Sequence, residues 1–83
     1  MRFTKGKTYK LWWWDIHHDS AWSTPAAAVI WANKVKPIVL TGQEFLGMTP
    51  NFYIFTSGKA GDGDTYDITL MPRKILHKAK LLR

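Results

Sequence analysis

Between Pro37 and Met71 the chain carries three short runs rich in β-branched and aromatic residues, each closed by turn formers, and no other stretch restricts the fold as much. The first run, residues 37–48, ends at Thr49-Pro50-Asn51. The second, Phe52-Tyr-Ile-Phe-Thr56, leads into the Gly/Asp-rich break Gly58-Lys-Ala-Gly-Asp-Gly-Asp64. In the third, Tyr66, Ile68 and Leu70 alternate with Thr65, Asp67 and Thr69. One face is therefore apolar and the other polar, which is the period of a half-buried strand. Such a meander must close on something. The remaining segments are too short to stand apart, so residues 1–83 read as a single small β-barrel domain.

The flanks supply the rest of the barrel. Residues 8–16 read as a first strand that is apolar on both faces, with Tyr9, Leu11 and Trp13 on one and Trp12, Trp14 and Ile16 on the other. A strand of that kind is expected to be covered twice, by the barrel interior and by a helix or a neighbouring subunit. His17 to Trp22 is a loop. Thr24 is an N-cap, Pro25 suits the first helical position, and Ala26, Ala27 and Ala28 propagate a short helix over about residues 25–33. So short a helix must pack to persist, and Val29, Ile30 and Trp31 are the expected contacts with the barrel. On that reading Ala27→Pro would unfold it at a cost of about 3 kcal/mol or more.

From Arg73 to Arg83, Ile75, His77, Ala79 and Leu81 alternate against Lys74, Lys78 and Lys80 as in a strand. Ile75, Ala79 and Leu82 also fit a helical stripe after Pro72, but Arg73 and Lys74 in a first turn would oppose the helix dipole. The strand is therefore taken. The predicted fold is mainly β: a small, five-stranded, strongly bent antiparallel barrel of the Sm-like or SH3-like kind with one short α-helix. Gly42, Gly47 and Gly58 are its expected sites for bulges and sharp bends.

Size makes this core narrow in margin, because a chain of 83 residues buries only about 60% of its unfolded surface. There is no cysteine to add a disulfide or a thiolate metal site. Five Trp, four Phe and three Tyr are more than so small a core easily hides, so part of that surface is expected to meet another subunit. The net charge of +6 is polarised. Arg2, Lys5, Lys7 and Lys10 open the chain without an acid, and Arg73, Lys74, Lys78, Lys80 and Arg83 close it without one. That distribution favours an anionic partner such as nucleic acid, although solvated terminal lysines explain it as well. No run approaches the roughly 20 apolar residues of a membrane span, and the basic N-terminus lacks the apolar core of a signal peptide. A cytoplasmic protein with no membrane partner is expected.

Against this background, residues 36–82 resemble the Sm-like (LSm) family. Its first motif has a hydrophobic strand, a glycine at a bend, a second glycine and a hydrophobic pair. Ile38-Val-Leu-Thr-Gly42-Gln-Glu-Phe45-Leu-Gly47 is similar, with Asn51 as the possible match to the motif's loop residues. Leu70-Met-Pro-Arg73-Lys-Ile75 resembles the second motif, with Arg73 in the arginine position and Lys74 where glycine is usual. The helix follows a strand here, whereas in Sm-like proteins it precedes the barrel. The opening Trp12-Trp-Trp-Asp-Ile followed by Asp19-Ser-Ala-Trp22 is also similar to small bacteriophage proteins, so a phage source, and hence the host cytoplasm, is expected. The resemblance implies a homo-oligomeric ring of about five to seven subunits, closed by strand-to-strand contacts, that binds single-stranded RNA.

Asp15, His17, His18 and Asp19 are possible metal ligands, but adjacent histidines on a strand point to opposite faces, and a polar loop explains them equally. Asp62-Gly-Asp64 with Asp67 lacks the spacing and distal glutamate of a calcium loop and reads as a hairpin turn. Lys7 lies in Lys5-Gly-Lys-Thr8 without the upstream glycine of a phosphate loop. No nucleophile motif surrounds Ser20, Ser23 or Ser57, His77 reads as a barrel-edge residue, and Glu44 is the only glutamate. No catalytic residue, cofactor or metal ion is expected, and the protein is read as a non-enzyme. Asn51, Tyr53, Arg73 and Lys74 are the expected nucleic-acid-binding residues, with Phe55 and Trp22 as further rings on which bases could stack. The alternative is an SH3-like interaction module, phage-encoded, that binds a host or virion protein through an aromatic surface.

Overall fold

The computed structural model describes residues 1–18 and 20–83. Five strands and one helix follow in the order β1 (Thr8–Trp13), α1 (Pro25–Lys34), β2 (Ile38–Met48), β3 (Phe52–Lys59), β4 (Thr65–Pro72) and β5 (Leu76–Leu81). The strands form one antiparallel sheet in the order β4-β3-β2-β1-β5. The tail is thus a strand, as its alternation suggested. The sheet is not closed: β4 and β5 are its two edges, so the expected barrel is at this level an open sheet. The uncharged Phe52–Thr56 run, which as an edge would invite pairing, lies instead in β3, between β4 and β2.

The sheet is nevertheless curled. Five strands laid flat would hold their outer two about 19 Å apart at about 4.8 Å per neighbour. Only Arg73, Lys74 and Ile75 separate the end of β4 from the start of β5. Four residue steps reach at most about 14 Å, so the two edges must converge at this end. Bulges supply the bend. Between β1 and β2 the pairing shifts from Tyr9↔Gln43 to Leu11↔Leu40, and Gly42 takes a φ of 70° beside the extra residue. A side chain there would clash with its own backbone, which is the reason for glycine. A second shift between Phe45 and Gly47 bends β2 against β3. Gly58 has a different role. It pairs with Tyr66 across β3 and β4, and a Cβ at Gly58 would clash with the Tyr66 ring.

The concave face holds the core: Tyr9, Leu11, Phe45, Tyr53, Phe55, Met71 and Leu76, with Phe3, Trp13, Ile75 and Ala79 packed against it. Phe3 belongs to no strand. Its ring lies 4.9 Å from Tyr9 and Tyr53 and 5.2 Å from Phe45 and Phe55, plugging the concavity. A turn holds it there, with the Lys7 amide donating to Thr4 O at 3.1 Å, the Gly6 amide to Phe45 O at 3.1 Å and the Thr4 amide to the Tyr9 hydroxyl at 2.9 Å.

β4 corrects the simplest reading of its alternation. Tyr66, Ile68 and Leu70 are 58%, 48% and 55% exposed, whereas Met71 is buried and Thr65 and Thr69 are half-buried. Pairing with β3 fixes this parity. Tyr53 and Phe55 point into the core, so their partners Met71 and Thr69 must do so too, and the apolar set faces out. Period 2 identifies two faces; it does not say which one meets the chain's own core.

The helix forms where expected, one residue longer. Thr24 Oγ1 accepts from the Ala27 amide at 3.1 Å, Pro25 opens the helix and the Val35 amide donates to Ala32 O at 3.3 Å. Its expected packing on the barrel is overturned: Val29, Ile30 and Trp31 are 61%, 56% and 43% exposed, and no helical residue is buried. The molecule measures 54 × 24 × 22 Å, as expected when one element stands away from the sheet. Two consequences follow for proline substitution. Ala27 lies in the first turn and its amide bonds only to the Thr24 cap, so Ala27→Pro should cost no more than the cap, about 1 kcal/mol. Ile30→Pro should abolish the helical signal in far-ultraviolet circular dichroism, while the melting temperature of the sheet stays within about 2 °C of wild type, as for a surface change. A melting point lowered by 10 °C or more would show that the helix is packed in solution.

Candidate nucleic-acid interface

Two tight turns meet at the end where the sheet edges converge. In the first, Thr49 to Phe52 links β2 to β3. The Thr49 amide donates to Phe52 O at 2.8 Å, and Thr49 Oγ1 accepts from the Asn51 and Phe52 amides at 3.3 and 3.0 Å. Pro50 and Asn51 occupy the central positions, which suits proline's fixed φ and asparagine's turn chemistry. In the second, Pro72 to Ile75 links β4 to β5, closed by the Ile75 amide on Pro72 O at 3.2 Å. Arg73 and Lys74 are central here, so both side chains project from the tip.

The turns are tied to each other. The Arg73 amide donates to Asn51 O at 2.9 Å, and Arg73 Nη1 reaches Thr49 O at 3.4 Å. The guanidinium carbon lies 5.1 Å from the centre of the Tyr53 ring, a cation–π distance. Pro50, Asn51, Phe52, Pro72, Arg73 and Lys74 line an open cavity of about 290 Å³. Asn51, Arg73 and Lys74 are exposed around it and Phe52 is half-buried in its wall.

Three of the four sequence-predicted residues are therefore brought together with their polar ends accessible. Tyr53 joins them differently. It is 6% exposed, with Arg73 over its ring and Phe3 against it at 4.9 Å, so it holds the guanidinium rather than presenting a face. Phe55 is fully buried and has no face to offer a base. Trp22 is fully exposed, in the segment before α1. Phe52 is the aromatic at this site that the expected binding residues did not include. Its place beside the Asn51 turn was visible, but its outward parity depended on β3 pairing.

Chemically, the arrangement suits an anion with planar groups attached. Two cations stand at a turn tip without a carboxylate partner, because among the described residues the one ion pair is Lys59–Glu44 at 2.9 Å, formed between β3 and β2. The amide of Asn51 adds both donor and acceptor capacity. Of the other candidates, Asp19 lies outside the described residues, and among those described no three His, Asp or Glu side chains gather as a metal site would require. In the Gly/Asp-rich break, the Ala60 amide donates to Asp64 O at 2.7 Å and the Asp64 amide to Asp62 Oδ1 at 3.0 Å, which is a hairpin turn. No helix among the described residues is long and apolar enough to cross a membrane. No family model, no curated protein and no solved structure matches this chain.

Proposed function

We propose that this chain is a non-enzymatic, Sm-like small β protein that closes into a homo-oligomeric ring and binds single-stranded RNA at the paired turns. The observation that carries the reading is the convergence of Asn51, Arg73 and Lys74 on one cavity, from turns 22 residues apart in sequence. Arg73 is aimed by its amide bond to Asn51 O and by the Tyr53 ring, so a phosphate meets a positioned cation and loses little entropy in ordering it. Exposed neighbours supply the second charge and the amide.

Ring formation is supported by the two open edges. β4 and β5 each present unpaired backbone groups, and one copy's β4 beside the next copy's β5 would extend the sheet head to tail. The outward face of β4 adds Tyr66, Ile68 and Leu70 next to that edge, an apolar strip that a neighbour would cover. A ring of about five to seven copies is proposed, from a phage source and acting in the host cytoplasm. A second reading, an interaction module for a host or virion protein, is favoured by one observation: Trp22, before α1, and Val29, Ile30 and Trp31, on it, are each exposed.

Light scattering on the purified protein, with its 260/280 nm absorbance ratio, tests the assembly and co-purified RNA together. A mass five to seven times 9.6 kDa is expected for a ring of about that subunit number. A mass of 9.6 kDa at micromolar concentration would reject the ring.

A further inference from the structure

The outer face of β1 and β5 carries a second arrangement of cations and rings. Leu11 is buried in the core, so its neighbours Lys10 and Trp12 point to the convex side. Across the strand pair, Lys10 is registered against Lys80 and Trp12 against Lys78. The Lys10 and Lys78 ammonium groups lie 5.1 and 4.7 Å from the centre of the Trp12 ring, one from its own strand and one from the next. One step further the pairing shifts, and His77 at the shift lies 5.0 Å from Trp14, which is 43% exposed. From the Arg73–Lys74 turn, the convex face thus runs through His77 with Trp14, Lys78 with Trp12, and Lys80 with Lys10.

Two features set this stripe apart from ordinary solvated lysines. Lys10 and Lys80 face each other directly across an antiparallel pair, an arrangement that costs stability unless a counter-charge is present. Among the described residues no carboxylate supplies it: the one ion pair is Lys59 with Glu44, which lies opposite Thr8 on the neighbouring strand. Rings interleaved with unpaired cations along a single track are the components that hold a phosphate backbone while its bases stack.

We propose that the convex face of β1 and β5, formed by Lys10, Trp12, Trp14, Lys78 and Lys80, is a binding track for single-stranded nucleic acid. It is continuous with the turn site at Arg73 and Lys74, so it extends the RNA-binding reading without needing that site to be correct. It uses the face of β5, which leaves the edge of β5 available for pairing with a second copy. Phosphates would bridge the Lys10–Lys80 pair and lie beside Lys78, and a base would stack on Trp14, the more exposed ring.

The test measures anisotropy of fluorescein-labelled oligouridine, 12 nucleotides long, from 50 to 200 mM NaCl. Lys10→Gln, Lys78→Gln and Lys80→Gln together should weaken binding at 50 mM salt by at least roughly 30-fold and flatten the salt slope by about 2, at about 0.7 per lost contact. Trp14→Ser alone should weaken binding about 5-fold or more with an unchanged slope, the signature of a stacking loss. Wild-type affinity and slope in the triple variant overturn the track, and if Arg73→Ala with Lys74→Ala still weakens binding, the turn site survives on its own. Binding lost in the triple variant but kept in the Arg73/Lys74 variant supports the track and removes the turn site. Polyglutamate competing as well as oligouridine overturns a nucleic-acid track, since it offers charge without bases. Failure of the wild-type protein to bind oligouridine at all rejects both sites.

Discussion

Phe55→Ala should remove a large fraction of the protein's stability, about 3–5 kcal/mol. The side chain is fully buried at the centre of the concave face, with the rings of Phe3, Phe45 and Tyr9 at 5.2, 5.4 and 6.4 Å. Removing a buried phenyl group costs its transfer free energy and leaves a cavity, together about 3–5 kcal/mol. The whole stability of a chain this long is only about 4–12 kcal/mol. The site cannot collapse easily, because Phe3 enters from a separate segment and the other rings are fixed by strand pairing. Urea unfolding followed by near-ultraviolet circular dichroism measures the loss. A destabilisation below 1 kcal/mol would mean that the aromatic cluster is not the core of the fold. Phe55→Leu, which keeps most of the volume, should retain the fold and lose less, about 1–2 kcal/mol.

The second large effect is on binding. Arg73→Ala with Lys74→Ala should reduce affinity for oligouridine roughly 25-fold at 0.1 M salt, and flatten the salt slope by about 1.4, if each cation neutralises one phosphate. Both side chains are exposed at a turn tip, so the substitution should leave the melting temperature and the oligomeric mass unchanged. Arg73 is expected to contribute more than Lys74, because its guanidinium is held over Tyr53 and beside Thr49 O while nothing comparable positions Lys74. Tyr53→Leu offers a check on that argument: it should weaken binding through Arg73, by altering the ring under the guanidinium, without touching the ligand. Equal affinity and slope in the double variant and wild type would remove the turns as the site.

The two surfaces also separate by salt. Contacts to phosphate weaken steeply between 50 and 200 mM, whereas a protein partner held by Trp22, Val29, Ile30 and Trp31 would respond little. A salt-insensitive partner captured through α1 would favour the interaction-module reading. The helix is suited to such a role because its apolar residues are already exposed and meet no part of the sheet as core.

Much of the local structure was written in the sequence. The break at Thr49-Pro50-Asn51, the Gly/Asp turn, the Thr24 cap with Pro25 and the alternation from Ile75 to Leu81 each gave the right element, because turn chemistry and capping depend on neighbours in the chain. The association of Asn51 with Arg73 and Lys74 came from resemblance to a family motif, and the two turns do meet. What the sequence could not decide was which face of each element would be covered. β4 has a clear apolar face, but pairing with β3 through Tyr53↔Met71 and Phe55↔Thr69 turned that face outward. β1 was apolar on most of both faces, yet on its second face Trp12 is met by Lys10 of the same strand and by Lys78 of β5 rather than by a helix, because β5 lies beside it. Phe3, with no periodicity around it, became part of the core only because a turn carries it back over the concave sheet. Periodicity and propensity act over a few residues, whereas burial depends on partners from distant segments. The tertiary pairing therefore decided which aromatics form the core and which remain as surface for a ligand or a second copy.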